Sequence, residues 1–81
     1  MRITVKLFAQ LRDTAGVSEL SISPTAGATV SDALELVFAA HPALRPPAAR
    51  AAVAVNLAYA TRDTVLQDGD ELALIPPVSG G

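Results

Sequence analysis

The sequence contains one strongly periodic segment, which starts at Thr29 and ends before Pro42. Thr29 can cap a helix together with Asp32, an acidic relative of the capping box, and the residue before a proline avoids helical backbone angles. A single amphipathic helix has one apolar face, which a sheet can cover. That face is the stripe formed by Val30, Ala33, Leu34, Val37 and Phe38.

Short segments on both sides of this helix supply the sheet. Apolar residues alternate with polar ones in the first and second segments, and the last is a compact apolar run. We expect the first two strands to pair as a hairpin, and the first and last, which are the most apolar, to lie in the middle of the sheet. The predicted strand regions are residues 2–8, 19–23, 50–56, 59–66 and 71–75.

The order of these elements predicts an α+β fold. Residues 9–16 should form a helical turn or a loop, and residues 43–47 an irregular connector. The economical arrangement is one main helix packed across a mixed sheet of four to five strands. That arrangement is the ubiquitin-like β-grasp, which we assign to residues 1–75.

Composition excludes several function classes. The chain has 81 residues, which suits one domain, and no cysteine for a disulfide or a thiolate, which suits a reducing cytoplasm. A net charge of −2 argues against a nucleic-acid partner. The longest apolar run, residues 51–55, is far shorter than the roughly 20 residues of a membrane span. We therefore expect a cytoplasmic protein with no nucleic-acid or membrane partner.

No group of side chains predicts a conventional active site. The one histidine, His41, has no second histidine or cysteine to share a metal, and Ser31 lacks the motif that surrounds a nucleophilic serine. The acidic residues at positions 63, 68, 70 and 71 could do acid–base work, but they flank Gly69, where aspartate favours the turn itself. We therefore predict no bound metal and no turnover by this chain alone.

The C-terminus is the remaining candidate. Residues 76–81 have the sequence PPVSGG, in which two prolines stiffen the exit from the last strand. Six extended residues can reach about 20 Å. Glycine has no side chain, so the last two residues could enter a narrow channel in a partner enzyme. The alternative is a frayed end without function.

A carboxylate held on such a tail can be activated by another protein. A free carboxylate is a poor electrophile, but joining it to AMP gives an acyl adenylate that a nucleophile can open. If that nucleophile is sulfur, Gly81 becomes a thiocarboxylate, which can deliver sulfur. We therefore expect the carboxylate of Gly81 to be the reactive group, on an extended tail of residues 76–81.

Three stretches of the sequence resemble the small subunits of molybdopterin synthase, which are sulfur carriers. Length and order match this family over the whole chain, whereas the main helix and the connector after it match only in pattern. The stretches are LFAQLRD at residues 7–13 followed by Gly16, then Val55-Asn56 with Asp63 and LQDGDEL at residues 66–72, and IPPVSGG at residues 75–81.

The resemblance implies a β-grasp fold and a terminal glycine that an E1-like enzyme adenylates with ATP. Sulfur from a sulfurtransferase would then convert Gly81 to a thiocarboxylate, with Gly80 giving access. The tail would enter the large synthase subunit, in an assembly of two small and two large subunits, and sulfur would pass to cyclic pyranopterin monophosphate. The chain itself would bind no cofactor and would not be an enzyme alone. The implied partner-binding residues are Phe8, Ile75, Pro76, Pro77, Val78 and Ser79, with Leu74 favoured as core.

Three other functions stay open. A thiamine-pathway sulfur carrier shares the fold, the Gly-Gly end and the thiocarboxylate, but is usually shorter and lacks the motif of residues 7–13 and the Pro-Pro-Val ending. A ubiquitin-like modifier would join Gly81 to target lysines through an isopeptide bond. The chain could also be a plain interaction module with an idle tail.

Overall fold

The computed structural model describes residues 1–77, which form one sheet with helices over one of its faces. No helix in this part of the chain is long and apolar enough to cross a membrane. The strands are β1 (Ile3–Leu7), β2 (Glu19–Ile22), β3 (Ala52–Val55), β4 (Ala58–Ala60) and β5 (Glu71–Ile75). The helices are α1 (Ala9–Ala15), α2 (Val30–Ala40) and α3 (Arg45–Ala48), and a 3₁₀ turn, Pro42–Leu44, precedes α3.

The five strands lie in the order β2-β1-β5-β3-β4. β1 pairs with β2 as the predicted antiparallel hairpin and with β5 in parallel, where Val5 lies beside Leu72. β3 is antiparallel to both β5 and β4. The sheet is therefore mixed, and the predicted β-grasp is confirmed. β5 is the central strand and β1 lies next to it, because both have an apolar face that must be covered.

The main helix forms as predicted. Thr29 and Asp32 make a complete capping box: the Asp32 N–H donates to Thr29 Oγ1 at 3.3 Å, and the Thr29 N–H donates to Asp32 Oδ2 at 3.0 Å. The apolar stripe of α2 faces the sheet and is buried. The core joins that stripe to inward-facing strand residues, among them Ile3, Val5, Leu7, Val53, Leu72 and Leu74.

Two connecting segments are more regular than the sequence indicated. Most of residues 9–16 form the helix α1 (Ala9–Ala15), which buries Leu11 and is followed by Gly16 in the left-handed conformation, with φ 79°. The prediction of an irregular connector at residues 43–47 was wrong, because a 3₁₀ turn and α3 occupy it. Prolines fit these short helices because the first turn of a helix needs no backbone N–H donor.

Arg45 links this connector to α2 through side-chain contacts. Its guanidinium group donates two hydrogen bonds to the Glu35 carboxylate, at 3.1 and 2.9 Å, and lies 4.8 Å from the centre of the Phe38 ring. The bidentate hydrogen bond from Arg45 lowers the pKa of Glu35 and outweighs the opposing effect of desolvation, and the positive charge of Arg45 lowers this pKa further. Both side chains are exposed, so the pair adds little stability.

We predict that Arg45→Ala raises the pKa of Glu35 toward its ordinary value, which a carboxyl NMR titration of Glu35 measures. A carboxylate with a lowered folded-state pKa stabilises the fold above its unfolded-state pKa, and this contribution disappears as the pH falls through the folded-state value. The part of the difference in unfolding temperature that comes from the Glu35–Arg45 pair should therefore exist at neutral pH and vanish in acid, whereas any part that comes from the contact of Arg45 with the Phe38 ring should persist. Arg12→Ala, on α1, is the control. An unchanged Glu35 pKa in Arg45→Ala would contradict this account.

Candidate functional site

The base of the tail lies at the end of the central strand. Ile75 is the last residue of β5 and is half-buried, Pro76 is buried, and Pro77 is exposed. The predicted site residues Val78, Ser79, Gly80 and Gly81 lie outside the described residues. The last residue of β5, Ile75, therefore turns its side chain toward the sheet face that the helices leave uncovered.

That outer face carries an apolar groove with a volume of about 430 Å³. Alternation along the strands creates it, because Leu72 and Leu74 point into the core and so Ala73 and Ile75 point out. Ala54 lies opposite Ala73 on the neighbouring strand, and these two small side chains leave space between larger neighbours. The groove is lined by Phe8, Ala54, Leu57, Tyr59, Glu71, Ala73 and Ile75.

Phe8 forms one wall of this groove because it directly follows β1 and keeps the extended backbone of that strand. The residues before it alternate, so Leu7 enters the core and Phe8 turns outward, where it is 46% exposed. Its carbonyl accepts the Leu11 N–H at 3.0 Å, and the Leu11 side chain points from α1 into the core. This explains the LFAQLRD stretch: its leucines anchor the strand and the helix, while its phenylalanine stays at the surface.

The β3–β4 hairpin forms the opposite wall. Leu57 lies in the turn of this hairpin and is 92% exposed. Tyr59 lies on β4, opposite Ala54, and is 80% exposed. These exposed apolar side chains, together with Phe8, make the groove a candidate interaction site. Sequence reasoning selected Phe8 and Ile75 but missed Leu57 and Tyr59. For Tyr59 the missed signal is an apolar side chain at an outward-facing strand position, where a polar one is usual. Leu57 lies in the turn between β3 and β4, where an apolar side chain is likewise unusual.

A hydrogen-bond network fixes this hairpin to the start of β5. The Asn56 N–H donates to the Glu71 carbonyl at 2.8 Å, and the Glu71 N–H donates to Asn56 Oδ1 at 3.0 Å. Asn56 Nδ2 donates to Asp70 Oδ1 at 2.9 Å. Asp70 Oδ2 in turn accepts the Gln67 N–H at 2.8 Å. The wall of the groove that carries Leu57 is therefore held rigidly against the sheet.

The acidic residues near Gly69 form the turn that precedes β5. Asp68 Oδ1 accepts the Arg2 N–H at 2.7 Å, and Gly69 has a φ of 88°, which suits glycine. Asp70 is occupied by its contacts with Gln67 and Asn56. The structure thus supports the turn interpretation over acid–base chemistry. Within residues 1–77, no group of three or more histidine, cysteine or acidic residues is placed to hold a metal ion.

Ser31 and His41 lie far apart. Ser31 is in the first turn of α2 and His41 follows its last residue. Ten residues of helix separate them by about 15 Å, so they cannot form a catalytic pair. The Ser31 N–H donates to the Arg62 carbonyl at 2.9 Å, and the His41 N–H donates to the Val37 carbonyl at 2.8 Å. Both backbone bonds belong to the ends of the helix, which favours a structural role for these two residues.

Comparison with known proteins gives close and complete matches. The chain is 42% identical to the molybdopterin synthase sulfur carrier subunit of Chlamydomonas reinhardtii over 83 residues, which cover 100% of both chains. It is 36% identical to the subunit of the same name from Arabidopsis thaliana, over 100% of this chain and 84% of the relative. Among solved structures, small archaeal modifier protein 1 from Haloferax volcanii superposes with a TM-score of 0.93 and 37% identity, covering 100% of both chains.

The family model with the description "ThiS family" matches residues 5–81. That match includes both walls of the groove, the turn that holds the hairpin and the whole C-terminal stretch. With nearly the whole chain matched, and with relatives of similar length at 36% and 42% identity, the chain belongs to the ThiS family.

Proposed function

We propose that this protein is the sulfur-carrier subunit of molybdopterin synthase. The observation that carries the proposal is the apolar groove beside the base of the tail: Ile75 lines the groove, and Pro77 follows two residues later. A protein that receives the tail must also cover this groove. The relatives named as sulfur carrier subunits of molybdopterin synthase support the large synthase subunit as that protein.

The reactive group in this proposal is the carboxylate of Gly81. An E1-like enzyme joins it to the AMP portion of ATP and releases pyrophosphate, which leaves an acyl adenylate. The persulfide of a sulfurtransferase displaces AMP and forms an acyl disulfide, and a thiol reductant then cleaves its S–S bond and leaves a thiocarboxylate. In the large subunit the thiocarboxylate sulfur bonds to a carbon of cyclic pyranopterin monophosphate and so forms a thioester, and water cleaves its acyl–sulfur bond, which restores the carboxylate and leaves the sulfur on the substrate. A second thiocarboxylated chain supplies the second sulfur of molybdopterin. ATP is bound by the activating enzyme, and this chain acts as a carrier in the cytoplasm.

The groove and the tail have separate tasks in this scheme. Fixing a segment in a channel costs about 1–2 kcal/mol per residue, hence about 4–8 kcal/mol for the four residues after Pro77. Burial of apolar surface contributes about 25 cal/mol per Å², so about 300 Å² of contact offsets the upper end of that cost. Phe8, Leu57, Tyr59 and Ile75 offer apolar surface for such contact. The groove therefore supplies affinity, and the tail supplies chemistry.

A second function is favoured by one specific observation. The small archaeal modifier protein 1 matches the fold with a TM-score of 0.93 and carries the name of a protein modifier. The same adenylated Gly81 could react with a lysine amine of a target and form an isopeptide bond. Both functions require activation of the carboxylate, so they separate only at the step after the adenylate.

The test is reconstitution with purified components. The thiocarboxylated chain and the large synthase subunit should convert cyclic pyranopterin monophosphate to molybdopterin, and the chain with an unmodified carboxylate should not. The thiocarboxylated chain should fail to support thiazole formation with the thiamine-pathway synthase. The reverse pair of results would assign the chain to the thiamine pathway. Mass spectrometry of protein from its own cells that found Gly81 on target lysines, and no thiocarboxylate, would favour the modifier.

A further inference from the structure

The turn between β3 and β4 contains an unfavourable residue. Val55 pairs with Ala58, so the turn has two central residues, Asn56 and Leu57, whose φ angles are 51° and 71°. Two positive φ angles are the geometry of a type I′ turn. Asn suits the first position, whereas the second favours glycine because a side chain there crowds the backbone. Leucine is therefore a strained choice at position 57.

Packing within the described residues does not compensate for this strain. Leu57 is 92% exposed, so its side chain buries almost no surface in the fold. The turn cannot relax readily, because the Asn56 side chain and backbone are bonded to Asp70 and Glu71. A strained residue that the surrounding structure holds in place, with an exposed apolar side chain, indicates a role in binding.

We propose that Leu57 is a specificity-determining anchor that fills an apolar socket in the large synthase subunit. This inference rests on the proposed function and adds to it a residue that acts apart from the tail. The socket would be lined by aliphatic or aromatic side chains. It would recognise a branched apolar side chain that projects from a fixed hairpin.

Continuity of the surface argues for this occupant. Leu57 and Ile75 line the same groove, and the tail leaves the sheet directly after Ile75. A subunit that holds the tail therefore also contacts the hairpin. The hydrogen bonds of Asn56 hold the turn before docking, so little backbone entropy is lost when Leu57 is buried. Rigid apolar anchors of this kind dominate binding at many interfaces.

The test compares Leu57→Gly and Leu57→Asn with wild type, each as a full-length thiocarboxylated chain. Both replacements suit a positive φ and remove the apolar side chain. The urea midpoint of unfolding should rise for Leu57→Gly and should not fall for Leu57→Asn. The Kd for the large subunit, measured by calorimetric titration, should rise at least tenfold for both. The KM for the carrier should rise similarly, with kcat unchanged at saturation.

Leu36→Asn is the matched control, because Leu36 is an exposed leucine on α2 that does not line the groove, and its Kd should equal that of wild type. Unchanged binding by both Leu57 variants, with wild type bound normally, would overturn the anchor and leave the proposed function intact. A lower unfolding midpoint in both variants would show a structural role and also overturn it. Failure of wild type to bind the large subunit would overturn the proposed function and the anchor with it.

Discussion

Adding one alanine after Gly81 is expected to abolish molybdopterin formation while the unfolding temperature hardly moves. One extra residue displaces the terminal carboxylate by up to about 3.5 Å. A displacement of about 1 Å from a reactive geometry can already reduce the rate about 100-fold. The expected loss of activity is therefore at least about 100-fold. Deleting Gly81 should have the same effect, because it withdraws the carboxylate by one residue.

Stability and activity should separate in these variants. The buried core of the described part runs from Ile3 to Leu74, so the change lies beyond the residues that hold the fold. Activity is measured as molybdopterin formed per carrier, and stability by thermal unfolding. Thr14→Ala, an exposed position on α1, is the control and should retain activity. Retained activity in the extended chain, or a large fall in its unfolding temperature, would contradict the carrier proposal.

The sequence predicted the elements whose residue pattern is compatible with only one structure. The stripe of α2 and its capping box follow from local spacing, and the central place of β1 and β5 follows from their apolar faces. The connector at residues 43–47 was mispredicted because proline both breaks helices and starts them. Only the position of a proline within a helix decides between these effects, and a single sequence does not show that position.

The sequence predicted only part of the groove lining, for a different reason. It forms from residues that are distant in the sequence, since Phe8, Ala54, Tyr59 and Ala73 meet only through strand pairing. Alanine at two outward positions carries no signal of its own, because alanine is common in this sequence. Positions where the residue type is unfavourable for its backbone conformation or helix position carry more information about function. Such positions concentrate at functional sites.

Phe8 is such a position, and Phe8→Asp is expected to weaken binding of the large subunit by about 100- to 3,000-fold. Phe8 lines the groove that the partner would cover, and no cationic residue among residues 1–77 lines that groove, so docking would bury a charged carboxylate without an opposite charge beside it. That costs about 3–5 kcal/mol, and each 1.4 kcal/mol is a tenfold change in Kd. Calorimetric titration of the full-length chain with the large subunit measures the effect.

The same substitution should leave the fold stable, which separates a docking role from a structural one. Phe8 is the N-cap of α1, with extended backbone angles of −126° and 156°, and its side chain makes no capping bond. Aspartate is a favoured N-cap, and its carboxylate can accept first-turn N–H groups for a gain of about 0.5–2 kcal/mol. This gain opposes the loss of the half-buried phenyl ring. Val17→Asp, at an exposed valine outside the groove, is the control and should bind normally. Unfolding of Phe8→Asp, or its normal binding, would show that phenylalanine occupies this cap for a reason other than docking.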